Sequence, residues 1–165
     1  MLQKIVISLQ QLQKMHASLL SLAKEKQEVI ERGEISALDQ FMKEEQSHIA
    51  AIEQLERNRQ QAVRQFFETL GIAIVQQPTL TEIIQYVEDD EAKQQLIQAK
   101  TRLLETLHEL QLQNDLNQKL TYQSLQFLNL SLNMVQPEHS SINYSRDEVQ
   151  GKNEVVKRTS FDSKA

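Results

Sequence analysis

The sequence predicts an all-α protein: an elongated antiparallel helical bundle or coiled coil with a long C-terminal helix and a flexible tail. Three observations predict it. Only 3 glycines and 2 prolines interrupt 165 residues, far fewer turn residues than a sheet protein of this length requires. Apolar residues recur at spacings of three and four along most of the chain, the period of a helix with one buried stripe. Aromatics make up 5% of positions and charged residues 25%, so the core is thin, leucine-rich and rod-like, without room for a deep enclosed active-site pocket.

The first helix spans about residues 2–31, with Leu2, Ile5, Leu9, Leu12, His16 or Leu19, Ala23 and Ile30 on its buried stripe. Gly33 stops it by supplying the left-handed backbone that helix C-termini favour. Ser36 to Asp39 then offers a capping side chain for the next start. So short a connection makes the first two helices antiparallel neighbours. The second helix, about 36–70, carries Leu38, Phe41, Glu45, His48 or Ile49, Ile52, Leu55, Arg59, Ala62, Phe66 and Leu70 along a heptad-like seam and ends at Gly71. Thr79-Leu80-Thr81-Glu82 has the form of a capping box and opens a short helix over about 80–88. Asp89, Asp90 and Glu91 place negative charge where a further helix N-terminus is stabilised by it.

No helix breaker occurs between Asp90 and Val135, so the last helix runs over 90–135 as one element, roughly 65 to 70 Å long. The helical domain therefore covers 1–136. After Pro137 the composition turns to Ser, Asn and mixed charge, and a flexible tail is expected over 137–165. Its five basic and five acidic residues cancel, which leaves the net charge of -5 on the helical part.

On a helical wheel the last helix has two apolar sides. Leu96, Ala99, Leu103, Leu107, Leu110, Asn114, Asn117, Thr121, Leu125, Leu128, Leu132 and Val135 gather on one side, which is expected to join the bundle. Leu112, Leu116, Leu120, Phe127, Leu130 and Met134 gather roughly 140° away and begin only in the second half. One bundle interface buries one stripe, so the second is offered to something else. Leu, Phe and Met there suit an amphipathic partner helix. Packing of the first two helices on both faces, a bend of the long helix, or a homodimer through this exposed stripe would also cover it. The polar Asn114, Asn117 and Thr121 in the other seam set register or make amide contacts to an incoming chain.

Several function classes recede. The acidic balance argues against nucleic-acid binding, which needs clustered Lys and Arg. The chain has no cysteine, hence no disulfide, thiolate metal site or thiol nucleophile. Neither an early signal-type apolar run nor a stretch long enough to span a bilayer is present, so the expected location is cytoplasmic. Two Glu-x-x-His sequences, Glu45 with His48 and Glu105 with His108, are the nearest approach to a di-iron carboxylate site. The second pair lies opposite the seam of its helix, and too few long helices remain to complete the set. No Gly-rich phosphate loop or Gly-x-Ser-x-Gly turn occurs. No enzymatic activity, cofactor, metal or small-molecule substrate is expected.

The organisation resembles the FlgN-type family of flagellar export chaperones over nearly the whole chain. The resemblance rests on Glu31-Arg32-Gly33-Glu34 at the end of the first helix, Leu38 with Glu44-Glu45, and the run Leu55-Glu56-Arg57-Asn58-Arg59. It continues through Asn114 and Asn117, the doubly apolar end of the last helix, and a polar tail holding one tyrosine. It implies a cytoplasmic type III export chaperone that binds hook-filament junction proteins through their C-terminal helical segment and delivers them to the export gate. Mapped here, the cargo-binding residues are Leu112, Leu116, Leu120, Phe127, Leu130 and Met134, the stripe already singled out on the wheel. The resemblance also implies that Tyr144 docks on the cytoplasmic domain of an export-gate membrane protein. The alternative reading is a structural coiled-coil adaptor or self-assembling helical protein.

Overall fold

A computed structural model describes residues 2–73 and 76–135. The chain forms α1 (Leu2–Arg32), α2 (Ile35–Thr69), the short α3 (Leu80–Gln85) and α4 (Asp90–Val135), and no strand occurs among the described residues. The expected tail, Tyr144 included, lies outside them.

Local chemistry accounts for the ends of the elements. Gly33 has φ 70°, and the amides of Gly33 and Glu34 bond back to the carbonyls of Ile30 and Val29, both at 3.1 Å. That pair of bonds closes α1 with a left-handed glycine. Gly71, at φ 69°, repeats the arrangement for α2, and Ile72 then packs on the core cluster that contains Phe67. The Thr79 capping box forms as the spacing predicts: Glu82 N donates to Thr79 Oγ1 at 3.2 Å, and Thr79 N donates to Glu82 Oε2 at 2.6 Å. α3 ends at Gln85, three residues short of expectation. α2 starts at Ile35 with Glu34 as its N-cap and no side-chain cap bond. Ser36, expected to cap it, is already inside the helix, because the Gly33 turn is so tight that α2 begins two residues after it. Asp89 caps α4 by accepting from Ala92 N at 3.2 Å.

α1 is the middle helix. It packs on both α2 and α4, while α2 and α4 make no extended contact with each other among the described residues. This explains why α1 buries more than the single predicted stripe: Val6, Ser8, Leu20, Leu22 and Val29 join Ile5, Leu9, Leu12, Ala23 and Ile30. α2 runs antiparallel to α1, and α4 runs parallel to it, since Gln13 meets Thr106 near one end and Ala23 meets Asn117 further up both helices. The main core lies at the lower end. There Ile5, Leu9, Val63, Phe67, Ile83 and Leu96 form one cluster with their neighbours, and the Phe67 ring meets Phe66 and Tyr86 edge to face. A smaller cluster of Leu20, Ala23 and Leu110 continues it upward.

Midway up α2, Arg59 grips Glu56 through two bonds, Nε to Oε2 at 2.7 Å and Nη2 to Oε1 at 2.5 Å. Together with Gln60 and the nearby His16 of α1, Arg59 holds the Glu56 carboxyl below its usual value of 4.5 against the opposing effect of partial burial. A depressed carboxylate stabilises the fold fully above its unfolded value, and the contribution is lost as the pH falls through the folded one. Arg59→Ala should therefore flatten the acid limb of a melting-temperature curve below pH 4.5, by at most about 1 kcal/mol at this half-exposed site. Around neutral pH the curve should keep its shape. An acid limb indistinguishable from the wild type would remove the pair from the stability account.

Candidate functional site: the upper half of α4

The site begins where α1 stops. Val29, Ile30 and Gly33 line one cavity with Thr121, Leu125 and Leu128, so α1 ends level with Leu128 and α4 continues alone to Val135. Below that point Leu103, Thr106, Leu110 and Asn117 are buried against α1. Asn117, only 3% exposed, donates from Nδ2 to the Ala23 carbonyl at 2.7 Å and accepts from Gln113 Nε2 at 3.1 Å. Gln113 also reaches Gln27 Oε1 at 2.8 Å. Of the three polar seam residues, Asn117 thus ties α4 to α1, whereas Thr121 bonds only back to the Asn117 carbonyl and Asn114 is exposed.

The outer flank of α4 is not covered by the chain's own helices. Leu116 is 40% exposed, Phe127 70% and Met134 84%. Leu112 and Leu130 are exposed as well, and Leu120 is half-buried. The inner side differs from expectation. Leu125, Leu128, Leu132 and Val135, expected to face the bundle, are all exposed, Val135 at 78%, because among the described residues no helix remains beside them once α1 has ended and α2 stands away from α4. Leu107 is also partly uncovered for want of contact with α2.

The separation of α2 from α4 opens an apolar groove of about 620 Å³. Leu38, Met42 and Ile49 of α2 form one wall, Leu19 and Ile30 of α1 the floor, and Thr121, Tyr122 and Leu125 of α4 the other wall. It adjoins the cavity of about 540 Å³ at the α1–α2 turn, which Ile35, Leu38, Phe127 and Leu128 also line. Of the six stripe residues only Phe127 reaches these recesses; the other five lie outside both. The groove also holds the paired Lys26 and Glu45, and the cavity at the turn Glu31 and Arg32, but on α4 itself charge is sparse. Between Leu112 and Val135 only Asp115 and Lys119 are charged, and none is charged from Leu120 onward. Such depletion belongs to the core of a protein interface rather than to a solvated helix face.

The residues considered for metal chemistry are used differently. Glu45 accepts a bond from Lys26 of α1. His48 Nδ1 donates to the Glu44 carbonyl at 2.8 Å, which leaves Nε2 to accept the Ser18 hydroxyl at 2.8 Å. Both ring nitrogens are thereby engaged, Nδ1 within α2 and Nε2 in joining α2 to α1. Glu105 and His108 lie on the exposed side of α4. Among the described residues no three His, Asp or Glu side chains come together as a metal-binding group, and no helix is long and apolar enough to cross a membrane.

A sequence model of the FlgN protein family matches residues 1–150. The chain belongs to the FlgN family. It is also 32% identical over 161 residues to the uncharacterized protein YvyG of Bacillus subtilis (strain 168), covering 98% of this chain and 97% of that one. No solved structure matches it. The family is one of flagellar export chaperones, so this FlgN chain is read as a binder of flagellar proteins.

What the wheel missed in this FlgN chain is the groove, whose α2 wall includes Met42, a residue absent from the predicted seam. The signal was available, since Leu38, Met42, Glu45 and Ile49 follow one another at spacings of four, three and four. A wheel shows that a stripe exists but not whether a third helix arrives to seal it. The polar tie is testable: Asn117→Ala should lower stability by about 1–3 kcal/mol, and Asn114→Ala by no more than about 0.5 kcal/mol, read from thermal or urea melts. Equal effects would deny Asn117 its role in register.

Proposed function

We propose that this FlgN-family chain is a cytoplasmic type III export chaperone that holds the C-terminal helical segment of a hook-filament junction protein on the outer flank of α4 and delivers it to the export gate. One observation carries the reading. Leu112, Leu116, Phe127, Leu130 and Met134 form a leucine-rich stripe on a nearly uncharged half-helix, and the chain's own helices leave it exposed.

The energetics support it. Burying a Leu or Phe side chain contributes about 1.5–3 kcal/mol, so three or four anchors exceed the roughly 2–5 kcal/mol that ordering a disordered cargo helix costs. A helix held in this way is also denied premature pairing with other subunits. Recognition through apolar anchors on a long helix needs no cofactor, metal or small-molecule substrate, and no nucleic acid. Docking on the cytoplasmic domain of the export-gate membrane protein is assigned to Tyr144, whose ring offers an apolar face and a polar tip at little cost in side-chain entropy.

Calorimetric titration of a junction-protein C-terminal segment into the full chain tests the cargo role. Leu116→Asp with Phe127→Asp should abolish binding and leave far-UV helicity unchanged; a loss of helicity would mean that the stripe is core. Tyr144→Ala should leave cargo affinity alone and weaken binding to the gate domain. If it weakens both equally, the two sites were wrongly separated. A chain that self-associates tightly and ignores every junction segment would favour the structural coiled-coil adaptor instead.

A further inference from the structure

We propose that the upper part of α2, from Ile35 to about Gln61, is a latched arm that lifts off α1 as a unit while the rest of the rod stays folded. The latch is Lys26 with Glu45 and Ser18 with His48, which bond α1 to α2 along that stretch. The device stands apart from the cargo reading, since α2 makes no extended contact with α4 among the described residues.

Burial divides α2 in two. Its buried residues, Ala62, Val63, Phe66 and Phe67, all lie at its lower end, where they join the main core. Above them the helix rests on α1, with Leu38, Phe41, Ile52 and Leu55 only half-buried. The start of α2 adds little: Glu34 makes no side-chain cap bond and the first turn holds no acidic residue, so that end lacks both of the usual local supports. At the same level α1 does not depend on α2. It is paired with α4 through Leu20, Ala23 and Leu110, and through the Asn117 bond to the Ala23 carbonyl. A segment with few buried contacts opens at lower free energy than a fully buried core. Most helix stability in a protein comes from the packed apolar face, so an arm lifted off α1 frays and its amides exchange with water.

The latch sets how often this happens. Lys26 and Glu45 are 18% and 20% exposed, so each is a largely desolvated charge neutralised by the other. What the arm covers follows from the wheel of α1. Leu22 and Val29 lie within about 40° of Ser18, the residue that meets His48 of α2, and both are buried. Lifting the arm bares them beside Leu19 and Ile30 of the groove floor.

Amide hydrogen exchange of the full chain, read by mass spectrometry, tests the arm. Protection over 38–59 should be lower by roughly tenfold or more than over 62–67 of α2, 5–12 of α1 and 103–117 of α4. Lys26→Met strands the Glu45 charge and should lower protection over 38–59 by roughly another tenfold, leaving 5–12 and 62–67 unchanged. Adding Glu45→Leu should restore much of the loss, since an apolar pair then replaces the ions and no charge is stranded. If Lys26→Met loses helicity, Glu45→Gln replaces it and the same shift is expected. Uniform exchange along the whole of α2 overturns the proposal, as does opening of 20–30 of α1 together with the arm. So does a single variant that leaves 38–59 unchanged or loosens 5–12 and 62–67 equally, or a double variant as open as the single one.

Discussion

How far α4 runs past its neighbours is set by the register in which it pairs with α1, and a few polar contacts fix that register. Leucine stripes slide over one another with little penalty; an amide bonded to one carbonyl does not. Asn117 on Ala23, Gln113 on Gln27 and Thr106 on Gln13 each specify one alignment. A shift of one turn, about 5.4 Å, would take the buried Asn117 Nδ2 away from the Ala23 carbonyl, and an unsatisfied buried donor costs about 1–3 kcal/mol. The exposed length of α4 is therefore a consequence of buried polar chemistry well below it. Polar residues within an apolar seam are used in this way where pairing must be unique.

The two ends of the rod are held differently. At the lower end Ile5, Leu9, Ile83 and Leu96 are fully buried, and three long helices and α3 share one cluster. Higher up, the buried residues of α2 give out: all four lie between Ala62 and Phe67. From Ile35 to Gln61 that helix is joined to α1 by half-buried contacts at Leu38, Phe41, Ile52 and Leu55, by Lys26 with Glu45, and by Ser18 with His48. Burial resists local opening, so the groove wall is the part of the fold with least to hold it and the foundation the part with most.

The four helices, the left-handed glycines at 33 and 71, and the Thr79 capping box were legible because each depends on residues within a few positions of one another. So were the two apolar sides of α4, which need only its own 3.6-residue period. The partners of those sides were not. Nothing near Leu125 or Leu132 in the sequence says that α1 stops before reaching them, since that depends on an alignment between residues 93 and 94 positions apart. For the same reason Leu38 and Ile49 read as sealed seam residues when they are the wall of an open groove. Ser36 failed as a cap for a local reason, the tightness of the Gly33 turn. His48 was rightly placed in the seam, but its role as acceptor for Ser18 needed the pairing of two helices to appear.

The stop signal at Gly33 then has a meaning larger than a turn. It sets the length of α1, and the length of α1 decides which α4 side chains are core and which are surface. One further turn of α1 would reach about 5.4 Å higher and begin to cover the level of Leu132, converting exposed surface into bundle. One turn fewer would uncover the level of Thr121 and bring water toward Asn117. Open space surrounds Gly33, with nothing that an added Cβ would meet, so packing does not demand a glycine there; the left-handed backbone does. A conformational requirement at one residue thus marks the boundary between the part of α4 that is packed on α1 and the part that stays exposed.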